Sequence, residues 1–325
     1  MTNLLVTGGA GYIGSHTCNA LREAGYRVVI IDNLSSGYAE AIPVGCIFVE
    51  GDIRDTQLVK QTLAANQISG VVHFAAKISV PESVAHPLDY YDNNTTGVMH
   101  LLQACKEAKV KYFVFSSTAA VYGERQDGLI HEDSTVEPVN PYGASKYFSE
   151  RIIKDVEKEF GLRSAILRYF NVAGASLKGN NGQRNSSATH LIKMASHAAL
   201  GKIPALNVFG TDYLTADGTA IRDYIHIEDL AELHIKAIKY LEGGGATDVF
   251  NCGYGRGYSV KEVINSMKKV SGTDFKVTET GRRPGDSAYS VADVSKVKKV
   301  FHWTPRHANL DMICKSALDW EKKLK

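Results

Sequence analysis

The run Leu4-Leu5-Val6-Thr7-Gly8-Gly9-Ala10-Gly11-Tyr12-Ile13-Gly14 constrains the fold more than any other stretch of the chain. Leu4 to Thr7 is a short apolar strand, and Ile13 to Ala24 carries apolar residues at helical spacing. A strand that turns straight into a helix needs glycine at 8 for the tight turn. It needs glycine at 11 so that the backbone can approach a pyrophosphate, and at 14 so that helix and strand can pack closely. The helix N-terminus then offers unpaired N–H groups to phosphates. A second apolar strand, Arg27 to Ile31, ends at Asp32. A carboxylate there can accept from a ribose 2′-hydroxyl and repels a 2′-phosphate, which favours NAD over NADP. A glycine turn alone would be a plain turn; the flanking strand and helix, with the acid at that distance, make it a dinucleotide site.

The alternation continues with strands at 47–50, 70–74, 111–116 and 164–169, and helices at 56–66, 87–108 and 141–160. This pattern predicts an α/β fold, a doubly wound parallel Rossmann sheet with a smaller mixed α/β substrate-binding lobe. We expect residues 1–172 to form the NAD-binding domain and 173–325 mainly the lobe, with segments near 222–252 returning to the large sheet. Ligands then lie beyond the carboxyl ends of the strands, where Asp52, Ala75, Asn93 and Thr118 fall. Asp52-Ile53 can hold the adenine, or Asp52 can cap a helix. Ala75-Ala76 can let the backbone pass the pyrophosphate, or simply pack.

With 44% hydrophobic residues in 325, a core is readily built, and a net charge of +2 without a Lys/Arg stripe argues against a nucleic-acid partner. No apolar run reaches the length of a membrane span, and the N-terminus carries no secretion signal. Cys18, Cys46, Cys105, Cys252 and Cys314 stand singly, with no Cys-x-x-Cys pair. They read as small buried hydrophobes of a cytoplasmic protein, without metal or disulfide roles.

Pro141-Tyr142-Gly143-Ala144-Ser145-Lys146 opens a helix, with Asn140 as N-cap and Pro141 as first helical residue. Of the sixteen tyrosines only Tyr142 has a lysine four residues on, so phenol and ammonium share a helix face. Using a phenol as a base near neutrality requires about 4 kcal/mol of preference for phenolate. One positive charge at about 4–6 Å and an effective dielectric near 20 supplies roughly 3–4 kcal/mol. An oxidised nicotinamide, a second cation, completes the shift. Thr118, at the end of the strand before this helix, can relay a proton to Tyr142, or serve as a turn cap.

After Asn171 the character changes. Residues 174–188 are rich in Gly, Asn and Ser, as in a lid or a linker. Helix 189–200, strand 206–209, the segment Arg222-Asp223-Tyr224-Ile225-His226, helix 229–241, strand 249–251, helix 260–270, strand 275–279 and terminal helices follow.

Gly8-x-x-Gly11-x-x-Gly14, Asp32, Ser117-Thr118, Tyr142-x-x-x-Lys146 and Arg168-Tyr169-Phe170-Asn171 together resemble the extended short-chain dehydrogenase/reductase family. Tyr90-Tyr91-Asp92-Asn93-Asn94, Arg222 to His226 and Arg282 to Asp286 resemble motifs of its nucleotide-sugar epimerases, over essentially the whole length. The resemblance implies reversible 4-epimerisation of UDP-hexoses through a 4-keto sugar, with NAD retained. It makes Tyr142, Lys146 and Thr118 catalytic. Around NAD it puts Gly8, Gly11, Tyr12, Ile13 and Gly14 at the turn, and Asp32, Asn33, Asp52 and Ile53 at the adenosine. Phe74, Ala75, Ala76 and Asn93 follow, then Ser116, Tyr142, Lys146 and Tyr169 at the nicotinamide end.

For the UDP-sugar, Thr118 and Tyr142 meet the hexose, and Phe170, Asn171, His190 and Leu191 line the diphosphate and ribose. Asn207 and Phe209 hold the uracil, Arg222 and Arg283 clamp the diphosphate, or form surface ion pairs, and Tyr224 and Asp286 form the neighbouring wall. Relatives carry a lysine one residue beyond Lys77, where this chain has Ile78, so that cofactor contact is not expected. Ser290 stands where hexose-only relatives carry a bulky tyrosine, which implies room for N-acetylhexosamines. The resemblance also implies a homodimer through the helices near 87–108 and 141–160. Two rivals share the fold. A 4,6-dehydratase or decarboxylase puts Asp-Glu after the threonine, where this chain has Ala119-Ala120, and a non-catalytic NAD-sensing module has no need of the Tyr142–Lys146 pair.

Overall fold

Strand β1 (Asn3–Thr7) enters the turn at Gly8, whose φ is 72°, and leaves it as α1 (Tyr12–Glu23). Then come β2 (Arg27–Asp32), β3 (Ile47–Glu50), α2 (Thr56–Ala65), β4 (Gly70–His73), α3 (Val80–Ala85), α4 (Pro87–Tyr90) and α5 (Gly97–Glu107). β5 (Tyr112–Thr118), α6 (Pro141–Phe160) and β6 (Arg163–Tyr169) complete this half. The structure is a computed structural model and describes residues 2–125, 128–185, 189–283 and 286–324. Residues 186–188 of the Gly/Asn/Ser segment and Pro284-Gly285 of the Arg282–Asp286 motif lie outside the described residues.

The second half adds β7 (Asn171–Ala173), α7 (Leu191–Ala199), β8 (Leu206–Phe209), β9 (Ile221–His226), α8 (Ile227–Glu242) and β10 (Asp248–Cys252). β11 (Gly257–Ser259), α9 (Val260–Ser271), β12 (Val277–Thr280), β13 (Tyr289–Ser290), α10 (Ser295–Phe301) and α11 (Leu310–Glu321) close it.

Seven strands form one parallel sheet in the order β10-β6-β5-β4-β1-β2-β3. Alternate residues of its strands feed two cores: Leu4, Val6, Val28 and Ile30 face one, Leu5, Val29 and Ile31 the other. Helices cover both faces, so the strands are apolar throughout. The strand order reverses beside β1, and the crevice it opens lies at the Gly8 turn. β10 returns to this sheet beside β6 after β7 and β9, and the later β11 and β13 join β9 to complete a smaller sheet. β8 and β12 form a separate parallel pair.

Several elements differ from the sequence expectation. The 87–108 helix is interrupted by a π-helical turn at Tyr91–Thr96, and α3 stands before it. The cause is Asn94, which is buried. Its amide accepts from the Lys77 N–H at 2.8 Å and donates to the Lys77 carbonyl at 3.0 Å and to Ser145 Oγ at 3.1 Å. The widened turn re-aims the side chain at these partners. The helix expected at 189 starts at Leu191, because His190 is extended there as N-cap. The one expected at 229 starts at Ile227, because the His226 ring accepts from the Glu228 N–H. The strand expected at 275 starts at Val277, opposite Leu206. α6 has the expected limits: Asn140 Oδ1 accepts from Gly143 N at 2.9 Å, Pro141 is in the first turn, and Gly161 ends the helix at φ 73°.

Among the described residues no helix is long and apolar enough to cross a membrane. All five thiols are free and four are buried, but Cys46 is only half-buried, which corrects the reading of every cysteine as a core residue. It sits in the turn just before β3.

Candidate active site

The glycines of the first turn do three different things. A Cβ on Gly8 would stand 2.6 Å from the backbone nitrogen of Ala75, so only glycine lets the turn pass the Phe74–Ala76 segment. A Cβ on Gly14 would stand 2.1 Å from the carbonyl oxygen of Gly8, so α1 starts in direct contact with the turn. A Cβ on Gly11 would meet only that same oxygen, at 3.3 Å. Gly11 is the N-cap of α1, with no side-chain cap and no acidic residue in the first turn. An open glycine at an uncapped helix N-terminus suits a diphosphate, and the cradle fits a dinucleotide. Tyr12 donates its hydroxyl proton to the Gly174 carbonyl at 2.7 Å, and Ile13 packs on the core.

At the adenosine end, Asp32 accepts from Ala10 N and Leu34 N, each at 2.9 Å, which fixes its carboxylate at the rim. Carboxylate oxygens have lone pairs to spare for a ribose hydroxyl. Asn33 donates to Asp52 at 3.0 Å, and Arg54 holds Asp52 through Nε at 2.9 Å and Nη2 at 2.8 Å. This guanidinium draws the Asp52 carboxyl down to about 2. Asp52 is not a helix cap; Asp55 caps α2. Ile53 is buried against Gly97. The role of Arg54, which also reaches Asp92 at 2.5 Å, has no signal in the sequence, because neither partner is at helical spacing.

Thr118 ends β5. Its Oγ1 accepts from Ala120 N at 3.1 Å, and its hydroxyl hydrogen-bonds the phenol of Tyr142. Turn cap and proton partner are therefore one group. Lys146 is buried, its Nζ donating to the Ser116 carbonyl at 2.8 Å and standing 4.9 Å from the Phe115 ring centre. Burial lowers its pKa to about 7, against the opposing pull of Glu150. Burial also raises Tyr142, and the Thr118 hydrogen bond opposes that rise. The Lys146 ammonium is turned to a carbonyl, and the lowering of the phenol expected from sequence counts on a second positive charge, that of an oxidised nicotinamide.

Beneath this pair, Ser117 Oγ donates to Glu150 Oε1 at 2.5 Å, and Arg168 grips the same carboxylate at 2.9 and 2.6 Å. Glu150 was not singled out by sequence; its place one turn beyond Lys146 was the available signal. Tyr169 is held by Ser116 and donates to His234 Nε2 at 2.5 Å, and burial keeps its phenol well above its usual value. Phe74 lies against the His234 ring, and Asn93 donates to Asn94 at 3.0 Å. Lys77 turns to Asp89 at 3.3 Å and Ile78 is exposed. Ala119 and Ala120 put only methyl groups after Thr118.

The small sheet assembles the other wall. Asn171 pairs with Tyr224 and Ser290 with Arg222, so all four side chains share one face. Arg222 donates to Asp286 at 3.4 Å, and the Arg283 guanidinium lies 3.7 Å from the centre of the Phe209 ring. Phe170 and Tyr224 are buried, Asn207 is exposed on β8, and His190 and Leu191 begin α7.

Among the described residues, the donor atoms of His226, Glu228 and His307 lie within 4.8 Å of one another. His226 Nδ1 already accepts from the Glu228 N–H and its Nε2 faces Ser316 Oγ at 3.2 Å, which leaves it no lone pair for an ion.

The chain matches the model of the NAD dependent epimerase/dehydratase family over residues 4–253. It is 51% identical to the UDP-glucose 4-epimerase of Azospirillum brasilense, over 99% of this chain and 92% of that one. It superposes on a structure of UDP-glucose 4-epimerase from Brucella ovis in complex with NAD with a TM-score of 0.95, at 40% identity, covering 98% of each chain. The UDP-Glc/GlcNAc 4-epimerase of Campylobacter jejuni gives a TM-score of 0.88 at 46% identity, over 99% of this chain and 100% of that one.

Proposed function

Because the chain belongs to the NAD dependent epimerase/dehydratase family, we propose that it interconverts UDP-galactose and UDP-glucose by inverting C4, with NAD retained between turnovers. The observation that carries the reading is the meeting of β5 and α6: Thr118 ends the strand, and Lys146, buried one helical turn after Tyr142, donates to the Ser116 carbonyl of that same strand. Bound NAD supplies the hydride acceptor and donor for C4 and, while oxidised, a second positive charge. Tyr142 takes the proton of the 4-hydroxyl and returns it, with Thr118 as relay. Lys146 supplies one unit of the charge that favours phenolate and binds the nicotinamide ribose. Ala119 and Ala120 cannot remove water across C5 and C6, which disfavours a dehydratase.

Arg222 and Arg283 grip the diphosphate, exchanging Asp286 and the Phe209 ring for phosphate oxygens. Asn171, His190 and Leu191 line the diphosphate and ribose, Asn207 and Phe209 the uracil. A firm hold on the nucleotide leaves the hexose free to turn over its flat 4-keto form. The decisive assay is conversion of UDP-galactose to UDP-glucose by the protein as purified, with no added NAD. Tyr142→Phe lowers the rate by about 10²–10⁴; equal rates end the role of Tyr142.

Ser290 faces the same side as Arg222 and is small, which supports acceptance of UDP-N-acetylhexosamines. An enzyme that turns over UDP-galactose and leaves UDP-N-acetylgalactosamine untouched refutes this. Homodimerisation is supported by Leu88, Met99 and Phe148, exposed on the helices at 87–107 and 141–160, with Tyr91 against Phe148. Sedimentation of a monomer at micromolar concentration excludes it. Five free thiols suit the cytoplasm.

A further inference from the structure

The Gly/Asn/Ser segment, as far as residue 185, is tied down along its length. On one side α1 holds it. Tyr12 donates to the Gly174 carbonyl at 2.7 Å, Asn181 Nδ2 donates to Ser15 Oγ at 2.9 Å, and Lys178 pairs with Glu23 at 2.8 Å. On the other side α11 holds it. Ser316 Oγ accepts from Ala175 N at 3.2 Å, and Lys323 Nζ donates to the Gly179 carbonyl at 2.7 Å. Between these, Gly182 lies flat on the Trp320 indole, where a Cβ would stand 2.4 Å from its Cγ. The Arg184 guanidinium stands 5.1 Å from the centre of the same ring. The Gln183 carbonyl is where three elements meet: it accepts from Trp320 Nε1 on α11 and from Lys193 Nζ in the first turn of α7, each at 3.2 Å.

Lys193 is buried at the N-terminal end of α7, where the helix dipole disfavours a positive charge. Glu321, the residue after Trp320, offsets this. Its carboxylate pairs with Lys193, both side chains being 4% exposed, and with His197 Nε2 at 2.9 Å, one turn further along α7. Lys202, just beyond that helix, donates to the Glu321 carbonyl at 2.8 Å. The end of α11 therefore fixes both ends of α7 as well as the segment that leads to it. The cavity left among Tyr12, Gln183, His190, Lys193 and Trp320 is about 20 Å³, room for one water and for no ligand. The assembly is a support, not a second site. We propose that Trp320 is a positioning residue for the UDP-sugar site. Its indole face and N–H hold the Gln183 carbonyl, and through Lys193 on that same carbonyl they set the start of α7, from which His190 and Leu191 reach the diphosphate and ribose. This rests on the reading of His190 and Leu191 as nucleotide contacts.

The test titrates UDP alone, by calorimetry, into the full-length protein as purified and into Trp320→Phe and Gly182→Ala, and measures KM and kcat for UDP-galactose on the same samples. Trp320→Phe keeps an aromatic ring and removes the N–H, whereas Gly182→Ala keeps the N–H and lifts the backbone off the ring. Each variant is expected to weaken UDP binding and to raise KM by about five- to tenfold, as for the loss of one hydrogen bond, with kcat within about twofold of wild type. A lowered melting temperature with UDP affinity and KM unchanged makes Trp320 a packing residue only and overturns the proposal. Variants that bind UDP as tightly as a wild type that turns over UDP-galactose overturn the proposal and leave the epimerase reading standing. A wild type that binds UDP without turning over UDP-galactose ends the epimerase reading, and the loss of UDP affinity in the variants still supports the role of Trp320. A wild type that does not bind UDP overturns both.

Discussion

Lys146 is a side chain that the fold surrounds with protein, and burial and one carboxylate act on its charge in opposite directions. Burial draws its pKa to about 7, and Glu150, committed to Arg168, pulls the other way. Lys146→Met is expected to lower turnover by about 10²–10³, the range of a positioned acid–base partner. Its thermal stability should be equal to wild type or higher, since an expensive buried charge is gone. A large fall in melting temperature with turnover unchanged contradicts this. The Tyr142-x-x-x-Lys146 spacing was legible because helix geometry is local. The burial of both side chains was not, because desolvation is summed over everything packed around them.

The glycine turn and the π-helical turn show what is readable at the level of elements. All three glycines could be given separate jobs from sequence, and their surroundings differ: a Cβ on Gly8 or Gly14 would strike backbone, and one on Gly11 would meet a single oxygen at 3.3 Å. Gly14→Ala sets a methyl 2.1 Å from a carbonyl oxygen, so it is expected to cost several kcal/mol or abolish folding. Gly11→Ala meets only one atom at 3.3 Å, so it should fold with a melting temperature near wild type and lose NAD during gel filtration. Equal behaviour of the two variants, by melting temperature and by bound-NAD absorbance, contradicts the division of labour. The π-turn at Tyr91–Thr96 had no such signature. Its widening depends on Asn94 finding Lys77 and Ser145, partners 17 and 51 residues away.

For the molecule as a whole, loss of stability in acid follows from buried neutral rings. Burial lowers His16 and His234 to about 4 and His226 to about 3. Each folded value lies below the free one, so between them the unfolded chain binds more protons. The contribution is complete above about pH 6.5 and drains away as pH falls toward 4, by about 1.4 kcal/mol per pH unit per ring. Urea unfolding from pH 7.5 to 4.5 should show that loss, and His234→Gln should lessen its slope; a flat profile rules it out. The alternation of strands and helices was legible in sequence, because parallel strands buried on both faces are apolar throughout. The small sheet was not, since β7, β11 and β13 are two or three residues long. It is built outside the run of the large sheet: β7 and β9 lie on a detour between the neighbours β6 and β10, and β11 and β13 come after the last strand of that sheet. Segments placed there can be lengthened, trimmed or recontoured without reordering the floor beneath. One hydride-handling platform can thus serve under many sugar ceilings, and specificity is open to change where the platform itself has nothing to lose.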